Sequence, residues 1–475
     1  VVGWPGQWCA TFSRDLATGL RIAAGQEQTH FTLHPGEEVR TPLIVLQFWK
    51  GDRVDAQNTW RRWMIAHNVP RPGGQLCPMH LAGCSSHFFG EMVTADEASQ
   101  IQFIDRYLEE RIPLDYWWMD AGWYVNASGW PNTGTWEVDT NRFPRGLRAI
   151  TDHAHARGLK TILWFEPERV TPGTWLYDTH PEWLLGEDGG QKLLDLGNPD
   201  AWRWLVDHTD ALLTSQGIDL YRQDFNMDPL TYWRNADAPD RQGITEIRHV
   251  TGYLAFWDEL LRRRPGLRID TCASGGRRND LETLRRAVPL WRSDYILEPT
   301  GTQGCTYGIS SWIPFHGTGV KEADPYRFRS MMTPYPNCLW DARRTDLDYD
   351  EFRRLTAQWI AVAPNYAGDF YPLTPYSLAN DVWMAWQFDR PETGEGMVQI
   401  FRRDACIFRA ADLVLRGLDP DARYRITNLD EPAAVFEMTG ANLLEHGLPV
   451  EISASPGALV FTYQRVEPEP AITSH

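Results

Sequence analysis

Gly217-Ile-Asp-Leu-Tyr-Arg-Gln-Asp-Phe-Asn226 is the stretch on which the fold reading turns. Residues 218–222 follow a glycine and read as a buried β-strand through apolar Ile218, Leu220 and Tyr221. The run stops abruptly on Arg222, Asp224 and Asn226, polar groups that a strand end can present to a cavity. Ala287-Val-Pro-Leu-Trp-Arg-Ser-Asp294 repeats the design, again ending on an aspartate.

Working outward, similar runs recur at 79–82, 114–119, 160–165, 268–271 and 288–292, with weaker ones near 309–312 and 359–362. Amphipathic stretches lie between them at 95–110, 147–157, 199–215, 250–263 and 280–286. Strands alternating with helices mark a parallel sheet, and eight such units over roughly 300 residues fit an α/β chain built as a (β/α)8 TIM barrel. A doubly wound sheet is the runner-up. It usually carries a Gly-rich phosphate loop after its first strand, and none is seen.

The flanks read differently. Residues 1–70 suggest a partial N-terminal β-segment, with strand-like Phe31-Thr-Leu33 and Leu43–Phe48, then a linker helix over 55–65. Pro70-Arg-Pro-Gly-Gly74 marks a boundary, so the barrel is placed at 75–375. From 376 to 475 the helical pattern stops. Apolar runs at 382–388, 396–401, 424–426 and 458–463 predict a C-terminal antiparallel β-sandwich, with the tail from Glu467 frayed.

Composition narrows the function. A formal charge of −17 argues against nucleic-acid and anionic-membrane partners. The chain holds 23 tryptophans in 475 residues, and aromatic faces suit the C–H faces of sugars, although most such rings serve the core. The seven cysteines are odd in number and form no CxxC pair, so neither a disulfide framework nor a metal cluster is expected. No 18-residue apolar run or signal-peptide pattern is present, and a cytoplasmic location is the expectation. His153 and His155 lie two apart on a helix, hence on different faces, which fits surface positions rather than a metal pair.

Side chains just beyond barrel strands line active sites. That rule selects Asp120, Trp164, Glu166, Arg222, Asp224, Asn226, Cys272, Ser274, Gly275, Gly276 and Asp294. Two carboxylates among them suit glycosidic-bond cleavage, one attacking or activating water and one donating a proton. Glu166 and Glu168 are a rival acid pair, read here as loop anchors. Arg277 and Arg278 read as helix-start salt-bridge partners.

Several motifs then carry a resemblance. Asp120-Ala-Gly-Trp123, Trp136-Glu-Val-Asp139 and Arg142-Phe-Pro-Arg-Gly-Leu147 are followed by Trp164-Phe-Glu-Pro-Glu168, His180-Pro-Glu-Trp183 and Asp195-Leu-Gly-Asn-Pro199. Asp224-Phe-Asn226, Cys272-Ala-Ser-Gly-Gly-Arg-Arg-Asn-Asp280 and Trp291-Arg-Ser-Asp294 complete the series. In this order, over about residues 75–320, they resemble glycoside hydrolase family 36, the retaining α-galactosidases.

The resemblance implies a retaining, exo-acting α-glycosidase with a glycoside or oligosaccharide substrate and no cofactor or metal. Asp224 matches the nucleophile and Asp294 the acid/base. Asp120 matches one of two consecutive aspartates that grip the sugar's O4 and O6. Trp164 matches a pocket wall, and Cys272 and Gly275 the wall at O2. Asn226, Ser274 and Trp123 join the substrate-binding candidates. A double displacement would place the two carboxyls about 5–5.5 Å apart.

The chain also departs from that pattern. Ala121 stands where the second aspartate is expected, and Arg222 where lysine is usual. A pocket arginine before Asp195 is replaced near Gly189-Gly190. Compensation by His87 or Tyr124 is one reading of Ala121. α-N-Acetylgalactosaminidase, α-galactosaminidase and transglycosylase activities stay open, as do a sugar-binding protein on an inactive scaffold and homo-oligomerisation.

Overall fold

The structure is a computed structural model and describes residues 1–17, 19–295 and 298–466. The tail expected to fray, from Glu467 onward, lies outside the described residues.

Its central element is a seven-stranded parallel sheet. The order is Arg268–Thr271, Leu220–Gln223, Lys160–Phe165, Tyr116–Met119, Ala82–Cys84, Tyr335–Cys338 and Gly317–Val320. Val288 adds a single parallel bridge to Asp270 at the other end of the order, where an eighth strand would stand. This is the curled sheet of a TIM-type barrel. Its strands are buried almost throughout because both faces are covered, and Tyr116-Trp-Trp-Met119 is the most apolar of them.

The strand that leads to Asp224 is positioned by its preceding helix, Pro199–Gln216. Asn198 caps that helix by accepting from Asp200 N and Ala201 N, and Pro199 fills the first turn. Gly217 closes it and the chain turns into Leu220–Gln223. That strand registers against Lys160–Phe165 on one side and Arg268–Thr271 on the other, so Arg222 lies beside Trp164 and Asp270.

Two expected strands are corrected. Residues 309–312 lie at the end of the helix Pro299–Ser310, capped by Glu298. Residues 359–362 end the helix Tyr349–Val362, which Asp348 caps. Its buried Tyr349, Phe352, Leu355, Thr356, Trp359 and Val362 recur at three- and four-residue spacing, so a four-residue window mistakes one buried turn for a strand. The strands in question are instead Gly317–Val320 and Tyr335–Cys338.

The chain divides into two compact units, taken over their described residues. One comprises Val1–Phe48, His67–Asp294 and Asn337–Arg344. In it, the N-terminal stretch forms a hairpin, Trp8–Asp15 with Gly19–Gln26, that the sequence reading did not anticipate. Leu43–Ile44 pairs with Val2–Gly3, and His30–Phe31 pairs with Arg241–Gln242.

The other unit comprises Trp49–Ala66, Tyr295–Pro336 and Thr345–His475. It carries a six-stranded antiparallel sheet that includes Trp383–Arg390, Glu395–Arg402, Gly457–Arg465 and Arg423–Asn428. A two-stranded ribbon, Ala410–Leu413 with Leu448–Glu451, packs on it. Val398, Ile400 and Phe461 of the sheet share one buried cluster with Leu413, Leu448 and Val450 of the ribbon. The second layer of the expected sandwich is therefore this short ribbon.

Candidate active site

Asp224 directly follows its strand, and its N–H donates to the Phe165 carbonyl at 2.8 Å. Its carboxylate is buried and accepts four hydrogen bonds. Oδ1 takes the backbone N–H of Phe225 (2.7 Å) and of Ser274 (3.2 Å). Oδ2 takes Asn226 Nδ2 (2.8 Å) and the indole N–H of Trp164 (3.3 Å). Burial pushes this carboxyl up, but the Arg222 charge and these donors outweigh it and hold it below the ordinary carboxylate value. Asp224 is thus kept ionised inside the protein.

Asp294 stands in contrast. It is exposed, and its Oδ1 accepts the Trp291 indole N–H at 3.0 Å. The turn Ser274-Gly275-Gly276 links the two acids. All three residues have positive φ: 47°, 76° and 103°. At Gly275 a Cβ would lie 2.7 Å from Asp294 N and 3.1 Å from its carboxyl, and at Gly276 it would lie 2.5 Å from the Arg292 carbonyl. Only glycines let the chain carrying Asp294 come this close. Ser274 fastens the turn from the other side, donating its hydroxyl to Asn226 Oδ1 at 2.7 Å.

Arg222 is buried between acids. It donates to Asp270, and its Nε lies 3.5 Å from Asp120 Oδ2. Its guanidinium covers the Trp118 ring at 4.5 Å. Arg222 Nε is buried and makes no hydrogen bond among the described residues. Asp120 is oriented by Trp118 Nε1 (2.7 Å) and by the Ala121 N–H (2.8 Å). Burial raises its carboxyl, and Arg222 opposes the rise.

The remaining candidates sort by burial. Cys272 is buried beneath the Ser274 turn, its N–H on the Gln223 carbonyl at 2.7 Å, and burial pushes its thiol well up. A thiol so placed is a wall and not a nucleophile. Trp164 is buried and gives its N–H to Asp224. Trp123 stands behind it: fully buried, it donates to the Trp164 carbonyl at 2.8 Å and packs edge-on to Phe165. It reaches the site only through Trp164. Tyr124 is also fully buried and gives its hydroxyl to the Trp130 carbonyl, so it does not stand in for a carboxylate at position 121. His87 is exposed and its ring lies tilted against Phe88, centroids 4.0 Å apart.

The rival acid pair is spoken for. Glu166 is fully buried and holds Arg169 and the backbone N–H of Asn226, anchoring the loop after Asp224. Glu168 takes both arms of Arg278 (2.6 and 2.8 Å), His249 (2.8 Å) and Gln223 (2.8 Å). Burial alone would raise Glu168; the Arg278 charge and these bonds bring it to about 2. Arg278 is therefore a core strut and not a helix-start residue, while Arg277 pairs with exposed Asp228 at 2.7 Å. His153 is half-buried and His155 exposed, and they pair separately with Asp105 and Asp219. Among the described residues no group of three His, Cys, Asp or Glu is arranged to hold a metal.

One site residue escaped the sequence reading. Glu91 lies on the loop after Ala82–Cys84 with φ 60°. Burial, then the charge of Asp120, raise its carboxyl to about 8, with Arg222, Asp224 and Asp294 also acting on it. It belongs to the same cluster, and only its place in the loop after the first barrel strand hinted at that.

An acid-lined site at the strand ends of a TIM-type barrel defines the class. Comparison with known proteins refines it. The Melibiase family model matches residues 97–320. α-Galactosidase 1 of Pediococcus pentosaceus is 26% identical over 449 residues, covering 89% of this chain and 60% of its own length. α-Galactosidase AgaA of Geobacillus stearothermophilus is 24% identical over 459 residues, covering 90% and 61%. A crystal structure of an AgaA variant in complex with raffinose superimposes with a TM-score of 0.84 at 22% identity, covering 97% of this chain and 66% of that one. The chain is similar to these glycoside hydrolase family 36 α-galactosidases, and it spans about three fifths of the length of the curated relatives it matches.

Proposed function

We propose that the chain carries the catalytic site of a retaining, exo-acting α-glycosidase, with α-galactosides as its substrates. The observation that carries this reading is the contrast across the Ser274–Gly275 turn. Asp224 is buried, ionised and held by four donors, while Asp294 is exposed beside it. One acid suits attack, the other proton exchange with a leaving group and water.

In the first step an Asp224 carboxylate oxygen bonds to the anomeric carbon. The glycosidic C–O bond breaks, and its electron pair takes the proton of Asp294. In the second step Asp294 removes a proton from water, whose oxygen attacks the anomeric carbon and releases Asp224. Arg222 and Asp120 supply a donor and an acceptor for ring hydroxyls. Trp164 and Asn226 steady the nucleophile. The α-galactosidase names of the relatives support galactose as the sugar. The seven free cysteines accord with a reducing, cytoplasmic setting.

The test is hydrolysis of aryl α-glycosides of galactose, N-acetylgalactosamine, galactosamine and glucose, with wild type and Asp224→Ala side by side. Turnover of the galactoside that vanishes in the variant is expected. Equal activity in both proteins would overturn the assignment of Asp224.

A further inference from the structure

Glu91 sits in a backbone conformation that costs free energy for a side chain other than glycine, and its surroundings enforce it. The preceding Gly90 also has positive φ, 59°. The next residue, Met92, donates its N–H to the Ala121 carbonyl at 2.7 Å. Arg142 then staples the two segments together. One arm donates to the Met92 carbonyl (2.5 Å) and the Ala95 carbonyl (3.2 Å), the other to the Gly122 carbonyl (2.6 Å). Asp139 holds Arg142 in place at 2.8 Å. At Gly122 a Cβ would stand 3.0 Å from Val93 N, so the loop and the Asp120 turn touch backbone to backbone. Strain retained by this many fixed contacts is characteristic of functional sites.

The consequence is where the carboxyl goes. Ala121 is 2% exposed and offers only a buried methyl beside Asp120. Glu91, docked on that same turn, is half-buried and lies within the electrostatic reach of Asp120, Arg222, Asp224 and Asp294. We propose that Glu91 is the second carboxyl of the sugar-binding wall, working with Asp120 to bind a hydroxyl of the substrate ring. The inference rests on the glycosidase reading above and names a specificity-determining residue within it.

The chemistry is complementary. Burial and the Asp120 charge keep a proton on Glu91 near neutral pH, so it can donate to a sugar oxygen while a neighbouring carboxylate accepts. Arg222 Nε, buried and without a hydrogen-bond partner among the described residues, lies 3.5 Å from Asp120 Oδ2 and backs that wall. A ring hydroxyl reaching Asp120 and Glu91 would meet an acceptor and a donor.

The experiment compares wild type, Glu91→Gln and Glu91→Ala on an aryl α-galactoside and on its 4-deoxy and 6-deoxy counterparts. On the galactoside both variants are expected to lose on the order of tenfold or more in kcat/KM, chiefly through KM. The loss shrinks on the one deoxy sugar that lacks the contacted hydroxyl. A merely structural role for Glu91 would lower all three substrates alike, and that result, or no loss on any, overturns the inference while leaving the glycosidase reading intact. If wild type hydrolyses none of them, the glycosidase reading fails, and Glu91 is judged by calorimetric binding of galactose and the two deoxygalactoses. Weaker galactose binding by Glu91→Gln, restored to parity on one deoxy sugar, supports the inference. Equal binding by both proteins, or none by wild type, overturns it.

Discussion

Asp224 and Asp294 meet through a single turn. Ser274 donates its backbone N–H to Asp224 Oδ1 at 3.2 Å, and the next residue, Gly275, lies so close to Asp294 that a Cβ there would stand 2.7 Å from its nitrogen. The position of one acid thereby sets the position of the other. In a double displacement both act on opposite ends of one breaking bond, so their separation matters more than either environment alone.

Gly275→Ala tests that coupling. The new methyl must push Asp294 away, and the backbone is already at φ 76°. We expect a fall in kcat of about 100-fold, the scale of a 1 Å misplacement, with a native circular dichroism spectrum. Steady-state kinetics on an aryl α-galactoside checks it. An unchanged kcat would show that the turn does not set the distance.

Asn226→Ala tests how Asp224 is kept ionised. Asn226 donates to Oδ2 at 2.8 Å, one of the contacts that hold Asp224 below the ordinary carboxylate value against burial. Removing it favours the protonated acid. The acid limb of kcat/KM therefore moves to higher pH, because the reactive form is now lost sooner as pH falls. A pH–rate profile reads the shift directly, and an unmoved limb contradicts the account.

Two adjacent arginines should differ sharply in stability. Arg278→Leu strips the bidentate partner from fully buried Glu168 and is expected to cost about 3–5 kcal/mol. Arg277→Ala removes an exposed pair with Asp228 and should lie within about 0.5 kcal/mol of wild type. Urea denaturation of both variants separates them. Similar losses would mean that the Glu168 network is not the core strut described.

Asp389, in the unit with the six-stranded sheet, predicts a pH effect of opposite sign to that of Asp224. It is buried, takes the Tyr463 hydroxyl at 2.6 Å, and is raised from its ordinary value of 3.8 to about 7. Burial is the main cause, and the charge of Asp369 adds to it. Between those two values the folded protein binds the proton and the unfolded chain does not. This acid's contribution to stability therefore falls as pH rises from about 4 to about 7. Asp389→Asn should remove that slope in thermal unfolding followed across the window.

Much of the site was legible in the sequence because barrel strands announce themselves twice, by an apolar run and by the polar residues that follow it. Leu220–Gln223 with Asp224, and Lys160–Phe165 with Glu166, show both signals. Tyr335-Pro-Asn-Cys338 shows neither: a proline and an asparagine interrupt it, and pairing with its sheet neighbours, Ala82–Cys84 among them, makes it a strand. Gly317-Thr-Gly-Val320 is equally bare. The hairpin Trp8–Asp15 was missed because exposed residues, Phe12, Leu20 and Ile22 among them, blur its alternation. Glu91 was invisible for another reason. Its role comes from the docking of its loop on the Asp120 turn through Met92 and Arg142, contacts some 30 and 50 residues apart in the chain.

The central claim is that Asp224 attacks the sugar. A 2-deoxy-2-fluoro-α-galactosyl fluoride, which slows release of a covalent intermediate, tests it most directly by peptide mass spectrometry. The account predicts one 2-deoxy-2-fluorogalactosyl adduct on the peptide carrying Asp224, absent in Asp224→Asn. An adduct on any other carboxylate, or none at all from a protein that turns over the aryl galactoside, would contradict it.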